Sequence, residues 1–385
     1  MNTSTHIVFS GGVTGGHLFP GMAVAEQILR QEPKTRITFC GPGGLFDRTE
    51  VARAGYEYFE LSCPRAPQRF WRFPRFAQRM LQGQWAADAF LRRSAATAVV
   101  GLGGFGSAPM ALAAARRRVP LVLLEQNTVL GRANRRLSRK AQALCLAFED
   151  TEHVPAAVNR ITHVTGNPIR SAFEAGQRDR DRVLLVLGGS GGARALNEAM
   201  PRAITGLRQL LAGWRVIHQC GANGVAATEL AYRLTGIDVT VVPFIANMPM
   251  ALANSALAVC RAGGSTLAEL AMTHTPAVLV PFPQAADDHQ RQNARRYERA
   301  GAATLVDSAG LSPDGLKARL RDELSRLLAD DAVRDSMFQA MTKLARPYAA
   351  QRVAEIVLGL AAQQGSSAPA SHARLRGSRV ASSPR

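Results

Sequence analysis

Each half of this chain of 385 residues opens on a short apolar run that ends in a cluster of glycines and passes directly into a helical pattern. The first instance is Ile7–Ser10 followed by Gly11-Gly-Val-Thr-Gly-Gly16; the other is Val183–Leu187 followed by Gly188-Gly-Ser-Gly-Gly192. Further short runs, Ile37–Cys40, Ala98–Gly101, Pro120–Leu124, Val216–Gln219, Val239–Pro243, Leu257–Cys260 and Ala277–Pro281, alternate with longer helical segments. Strands that are apolar throughout and interleaved with helices belong to parallel sheets covered on both faces. The expected class is α/β.

The restart at Val183 predicts two Rossmann-like domains facing one another across a cleft, and a chain of this length exceeds what one hydrophobic core usually serves. We place the first domain at 1–168 and the second at 169–344, around the turn Gly166-Asn-Pro-Ile-Arg170 and the polar stretch Glu174–Arg182. A helix over 345–362 is expected to return to the first domain. The segment 363–385, rich in Ser, Ala, Gly, Pro and Arg, reads as a disordered basic tail.

Five scattered cysteines, none in a C-x-x-C pair, point to no disulfide framework or zinc site, and so to a reducing compartment. The start of the chain has no basic segment followed by an apolar run, so no secretory signal is expected. No stretch approaches the roughly 18 to 20 apolar residues of a membrane-spanning helix. The net charge of +18 calls for an anionic partner, whether nucleic acid, anionic lipid or a phosphate-bearing substrate.

Four glycine turns follow strands. Gly11–Gly16 leads into a helix carrying His17, and amides at a helix start gather around anions. It is not a dinucleotide fingerprint, because Gly41-Pro-Gly-Gly44 stands after the second strand where an acidic residue would be needed. Gly188–Gly192 adds the Ser190 hydroxyl and suits a diphosphate. Cys260-Arg-Ala-Gly-Gly-Ser-Thr-Leu-Ala-Glu269 puts Gly264, Ser265 and Thr266 at a helix start and Glu269 about one turn in, where a carboxylate can accept from ribose hydroxyls. The fourth, Gly101-Leu-Gly-Gly-Phe-Gly-Ser107, with Gly103, Gly104 and Ser107, suits a second anionic substrate.

These motifs, with Glu125-Gln-Asn127, Gly166–Arg170 and His289-Gln-Arg-Gln-Asn293, resemble in order those of the GT-B glycosyltransferases, specifically family 28. The resembled branch transfers N-acetylglucosamine from UDP-N-acetylglucosamine to the C4 hydroxyl of the muramyl sugar of undecaprenyl-linked lipid I, forming lipid II for the cell wall. The resemblance implies donor contacts from Thr14, Gly15, Gly16, Asn127, Arg170, Ser190, Ile245, Gly264, Ser265, Thr266, Leu267, Ala268, Glu269 and Gln290. It implies an inverting displacement with His17 as base, no cofactor and no metal, and a peripheral position on the cytoplasmic face of the bacterial inner membrane. The first domain would face the acceptor and membrane, the second would bind the donor, and other cell-wall synthesis proteins are conceivable partners. Val13 and Gly191 depart from the family's usual glycine and glutamine.

Arg69-Phe-Trp-Arg-Phe-Pro-Arg-Phe76 interleaves arginines with Phe70, Trp71, Phe73 and Phe76, as suits an anionic bilayer surface. Two alternatives are a UDP-sugar enzyme of different acceptor or an epimerase on the same scaffold. A nucleic-acid-binding protein would explain the charge but neither the glycine turns nor Glu269, and no nucleic acid is expected. Asp287-Asp-His289 is the nearest approach to a metal cluster and reads as a solvated turn.

Overall fold

The computed structural model describes residues 5–12, 15–64, 73–174, 181–189 and 191–366. The first half runs β1 (His6–Ser10), α1 (Gly15–Gln31), β2 (Arg36–Gly41), α2 (Leu45–Arg53), β3 (Glu57–Glu60), α3 (Phe73–Ser94), β4 (Ala98–Gly101), α4 (Ala108–Arg117), β5 (Leu121–Glu125), α5 (Arg132–Leu137), β6 (Ala143–Leu146) and β7 (Thr162–Val164). The second runs β8 (Asp181–Leu187), α6 (Arg194–Ile204), β9 (Arg215–Gln219), α7 (Val225–Arg233), β10 (Val239–Val242), α8 (Met248–Ala253), β11 (Ser255–Cys260), α9 (Gly264–Met272), β12 (Ala277–Leu279), α10 (His289–Arg299) and β13 (Ala303–Leu305). Three helices close it: α11 (Pro313–Ala329), α12 (Asp331–Leu344) and α13 (Ala349–Ser366).

Two parallel sheets result, of seven strands in the order β3-β2-β1-β4-β5-β6-β7 and of six in the order β10-β9-β8-β11-β12-β13. The expected α/β class holds, and each sheet reverses its strand order beside the strand that ends in a glycine turn. Crevices for ligands open at such reversals, outside the carboxyl ends of the strands.

Side-chain alternation explains the apolar runs. Ile7 and Phe9 of β1 pack with Val24, Ile28 and Phe39 on the α1 side, whereas Val8 joins Val99, Met110 and Leu121 on the α4 side. In the second sheet Leu184 and Val186 meet Leu196, Met200 and Leu320, while Leu185 and Leu187 meet Leu267, Leu270 and Ala294. Val353, Ala354, Val357 and Ala361, at helical spacing on α13, are buried in the α1-side core of the first sheet. That helix runs to Ser366, past the point where the sequence reads as tail, and 367–385 lie outside the described residues.

Candidate active site

The two glycine turns of the first domain are built against each other. They end the neighbouring strands β1 and β4. Gly11 (φ +131°) comes so close that a Cβ there would stand 3.0 Å from the Gly103 carbonyl oxygen. Gly103 (φ +93°) in turn carries the imidazole of His17, since a Cβ on it would stand 3.2 Å from His17 Cδ2. Only glycine permits both the positive φ and the close approach. Burial, with the nearby charge of His289, lowers the His17 pKa to about 4, so the ring is neutral near pH 7. Ser107 points inward: its hydroxyl donates to the Gly104 carbonyl at 2.9 Å and closes a short turn. Asp47, at the start of α2, is buried beside Gly12 with neither carboxylate oxygen hydrogen-bonded, and burial raises its pKa.

At the end of β5 a buried carboxylate organises the next loop. Glu125 Oε1 accepts from the backbone N–H and the Nδ2 of Asn127, both at 3.2 Å. Its Oε2 accepts from Gly131 N and Asn134 Nδ2, both at 2.9 Å. Burial raises the Glu125 pKa while these donors oppose the shift. Asn127 is thus held in place, with one N–H of its amide uncommitted to Glu125.

The second-domain turns divide differently. Gly188 and Gly192 are pressed against Gln219, Ala193 and Cys220, whereas at Gly189 and Gly191 a Cβ would meet nothing within 4 Å. Beside this turn lies a cavity of about 670 Å³, lined in part by Gly188, Gly192, Arg194, Arg261, Phe282 and Gln290. Gln290 Oε1 accepts from Phe282 N at 2.9 Å, and Arg261 Nη1 donates to the carbonyls of Val280 and Pro281 at 3.0 Å each. Thr266 and Ile245 are half-buried, Ile245 against the α9-side core. Glu269 is half-buried as well, and burial pushes its pKa up to about 7 against the opposing charge of Arg170. Arg170 itself stacks 4.4 Å from the ring centre of Phe19 and 5.5 Å from that of Phe173.

Leu267 is a core residue, fully buried, with its carbonyl accepting from Tyr297 Oη at 3.0 Å. Ala268 packs on the same core and lines a small separate cavity with Ala147 and Asn167. Neither lines the large cavity, whose lining includes no residue of α9. Thr14 and Ser190 lie outside the described residues, as do Phe70 and Trp71. Phe73 opens α3, Phe76 is half-buried, and the same helix exposes Leu81 and Trp85, the latter 68% accessible, among exposed Arg75 and Arg79.

The domains are joined at these turns. A Cβ on Gly264 would stand 2.0 Å from the Gln126 carbonyl oxygen, so the start of α9 is seated directly on the first-domain backbone. Ser265 Oγ donates to the Gly16 carbonyl at 2.7 Å, tying the helix start to the residue before His17. Asn293 bonds to Asn127 and to Thr128, and Arg132 pairs with Asp287 at 2.7 Å. Gly264 and Ser265, expected at phosphates, also form part of the interdomain seam. Asp287, Asp288 and His289 diverge onto Arg132, Arg291 and the Ala286 carbonyl, and no cluster of metal-binding side chains occurs among the described residues.

Glu125 and Asn293 carry structural weight that no role assigned from sequence anticipated, and Asp47 stands buried without a side-chain partner. For the first two a signal existed, since both sit inside the motifs named above and Glu125 stands at the carboxyl end of a strand beside the cleft.

Residues 7–145 match the glycosyltransferase family 28 N-terminal domain, and residues 183–347 match its C-terminal domain. The chain belongs to glycosyltransferase family 28. A family relative from Nitrosococcus oceani, the UDP-N-acetylglucosamine–N-acetylmuramyl-(pentapeptide) pyrophosphoryl-undecaprenol N-acetylglucosamine transferase, is 40% identical over 92% of this chain and 98% of its own. The protein of the same name from Symbiobacterium thermophilum is 35% identical, with 92% and 96% covered. Among solved structures, MurG of Acinetobacter baumannii superposes with a TM-score of 0.72 at 30% identity, over 92% of this chain and 99% of that one. The two family 28 domains thus form the GT-B arrangement of facing parallel sheets. The UDP-N-acetylglucosamine 2-epimerase of Neisseria meningitidis, 13% identical with a TM-score of 0.64 over 93% of this chain and all of its own, is alike in fold alone.

Proposed function

We infer that this chain transfers N-acetylglucosamine from UDP-N-acetylglucosamine to the C4 hydroxyl of the muramyl sugar of an undecaprenyl-pyrophosphoryl acceptor, forming lipid II. The observation that carries the reading is the end-to-end likeness to transferases of that name, at 40% identity over 92% of the chain. The geometry supports it. The turn bearing His17 is tied by the Ser265–Gly16 hydrogen bond to the helix start of the domain that would hold the donor.

In this reading the diphosphate lies at the open Gly189–Gly191 side of its turn, with Ser190, Gln290 and the N-terminal ends of α6 and α9 around it. Helix N-termini and backbone amides stabilise the charge that UDP gains as it leaves. Glu269 accepts from the ribose hydroxyls. His17 takes the proton of the acceptor's C4 hydroxyl as that oxygen attacks the anomeric carbon from the face opposite UDP, giving inversion. A neutral imidazole is the form that can accept a proton, and anionic substrates entering the cleft raise its basicity. The chemistry calls on no cofactor.

The acceptor's lipid tail places the enzyme at a bilayer. No helix among the described residues is long and apolar enough to cross one. The exposed Leu81 and Trp85 with the arginines around them on α3 suit peripheral binding to an anionic surface, in this reading the cytoplasmic face of the inner membrane. Co-sedimentation with anionic vesicles that survives Trp85→Ser with Leu81→Ser would remove α3 from that role.

Product analysis tests the whole reading. Incubation with UDP-N-acetylglucosamine and lipid I should yield UDP and a disaccharide-bearing lipid. An epimerised nucleotide sugar formed without acceptor would contradict it.

A further inference from the structure

Asn293 is fully buried in the second turn of α10, yet it does not line the large cavity and contributes to none of the donor contacts above. Its carboxamide is used completely. Oδ1 accepts from the backbone N–H of Thr128 at 2.9 Å and from its hydroxyl at 3.0 Å. Nδ2 donates to Asn127 Oδ1 and to the Ala262 carbonyl, both at 3.0 Å. Two lone pairs and two N–H groups are all a carboxamide has. Thr128 and Asn127 belong to the first domain, Ala262 to the glycine turn that opens α9 in the second.

The bonds also fix which way round the Asn127 amide lies. Glu125 offers only acceptors, so it takes the Asn127 N–H side, at 3.2 Å. Asn293 presents an N–H to the Asn127 oxygen. A 180° flip of that amide would set oxygen against carboxylate on one side and N–H against N–H on the other. Donation runs in one sense from Thr128 to Asn293 to Asn127 to Glu125, crossing the domain boundary twice, and Asn293 donates also to Ala262.

We propose that Asn293 is a positioning residue: from the second domain it orients the Asn127 amide in the cleft, so that Asn127 is correctly presented only when the donor turn at Ala262 is seated against the first domain. The proposal rests on the transferase reading, in which Asn127 addresses the sugar at the reacting centre. Asn293 acts through Asn127 and contacts no substrate itself. Displacing an oriented group by a fraction of an ångström lowers turnover far more than it lowers binding.

The test compares Asn293→Ala, Asn293→Asp, Asn127→Ala and the double alanine variant for transfer to lipid I, for UDP affinity and for Tm. Asn293→Asp is nearly isosteric and keeps both acceptor positions toward Thr128 while losing both donations, so it decides the matter even where Asn293→Ala folds poorly. The expected result is a kcat lower by about 10- to 100-fold in each Asn293 variant. UDP affinity should change by less than about threefold, and the double variant should be no worse than Asn127→Ala, as for residues acting as one unit. Losses that multiply in the double variant, UDP affinity that falls in step with kcat, or unchanged kcat in Asn293→Asp would overturn the proposal. Wild-type enzyme that makes no glycolipid would instead overturn the transferase reading.

Discussion

The glycine turns of the N-terminal domain and those of the C-terminal domain are alike as sequence and serve different ends. In the N-terminal domain, Gly11 and Gly103 are packed on each other and on His17, leaving no space a side chain could take. In the C-terminal domain, Gly189 and Gly191 face open space, and Gly264 is driven against the Gln126 carbonyl of the other domain. One motif thus builds a ledge for an imidazole, a turn open to solvent, and a seam between domains. A glycine after a strand says only that something comes close to the backbone. Whether it is a side chain, a ligand or another domain depends on what the topology sets opposite.

Substitutions at these glycines break or sharpen the comparison. Gly264→Ala should have the largest effect, because its Cβ would stand 2.0 Å from Gln126 O and the domains must part to admit it. Transfer should fall by about 100-fold or more while circular dichroism is unchanged; near-normal transfer would mean that the seam is not part of the active form. Gly103→Ala should be intermediate, since the added methyl strains a positive φ and pushes the imidazole by a few tenths of an ångström. We expect kcat to drop by roughly tenfold with UDP affinity intact.

Glu269→Gln tests the proposed donor side through pH. The folded-state pKa of about 7 lies above the ordinary 4.5, so the carboxyl favours the folded state while protonated. That contribution is lost as pH rises from about 4.5 through 7. Ionisation in the same window makes Glu269 the better acceptor for ribose hydroxyls, so the donor KM should fall as pH rises through 7. In Glu269→Gln both the stability slope in that window and the KM limb should flatten, measurable by thermal melts and steady-state kinetics. Smallest of all on stability, Gly191→Ala enters open space in the free protein and should leave Tm within about 2 °C, while UDP affinity should fall because the methyl meets the diphosphate placed on that side of the turn. Unchanged UDP affinity would contradict that placing.

Much of the fold could be read from residues alone. β1, β2, β4, β5, β8, β9, β11 and β12 were marked by apolar runs because they are inner strands of the two sheets, and the edge strand β10 by its β-branched Val239-Thr-Val-Val242. Three of the four unmarked strands are edge or terminal ones. Glu57-Tyr-Phe-Glu60 has no period-two alternation and no buried residue, Thr162–Val164 is largely exposed, and Ala303–Leu305 is too short for a period. β6, Ala143-Leu-Cys-Leu146, is central but lacks the β-branched residues that mark a strand. The site was legible as motifs and less so as roles. Nothing local in Ser265 or Gly264 says that the other domain covers them, nor in Leu267 that it faces the sheet. Asn293 reads as one polar residue in a polar helix until Thr128 and Asn127, distant in sequence, are brought against it.

The most direct test of the account is transfer of radiolabelled N-acetylglucosamine from UDP to lipid I in detergent micelles by wild type and His17→Ala, with UDP binding measured on both. Lipid-linked label in the wild type, reduced by roughly 10²- to 10⁴-fold in the variant at unchanged UDP affinity, is the predicted result. Equal transfer by both proteins would contradict the placing of the reacting centre on the His17 ledge.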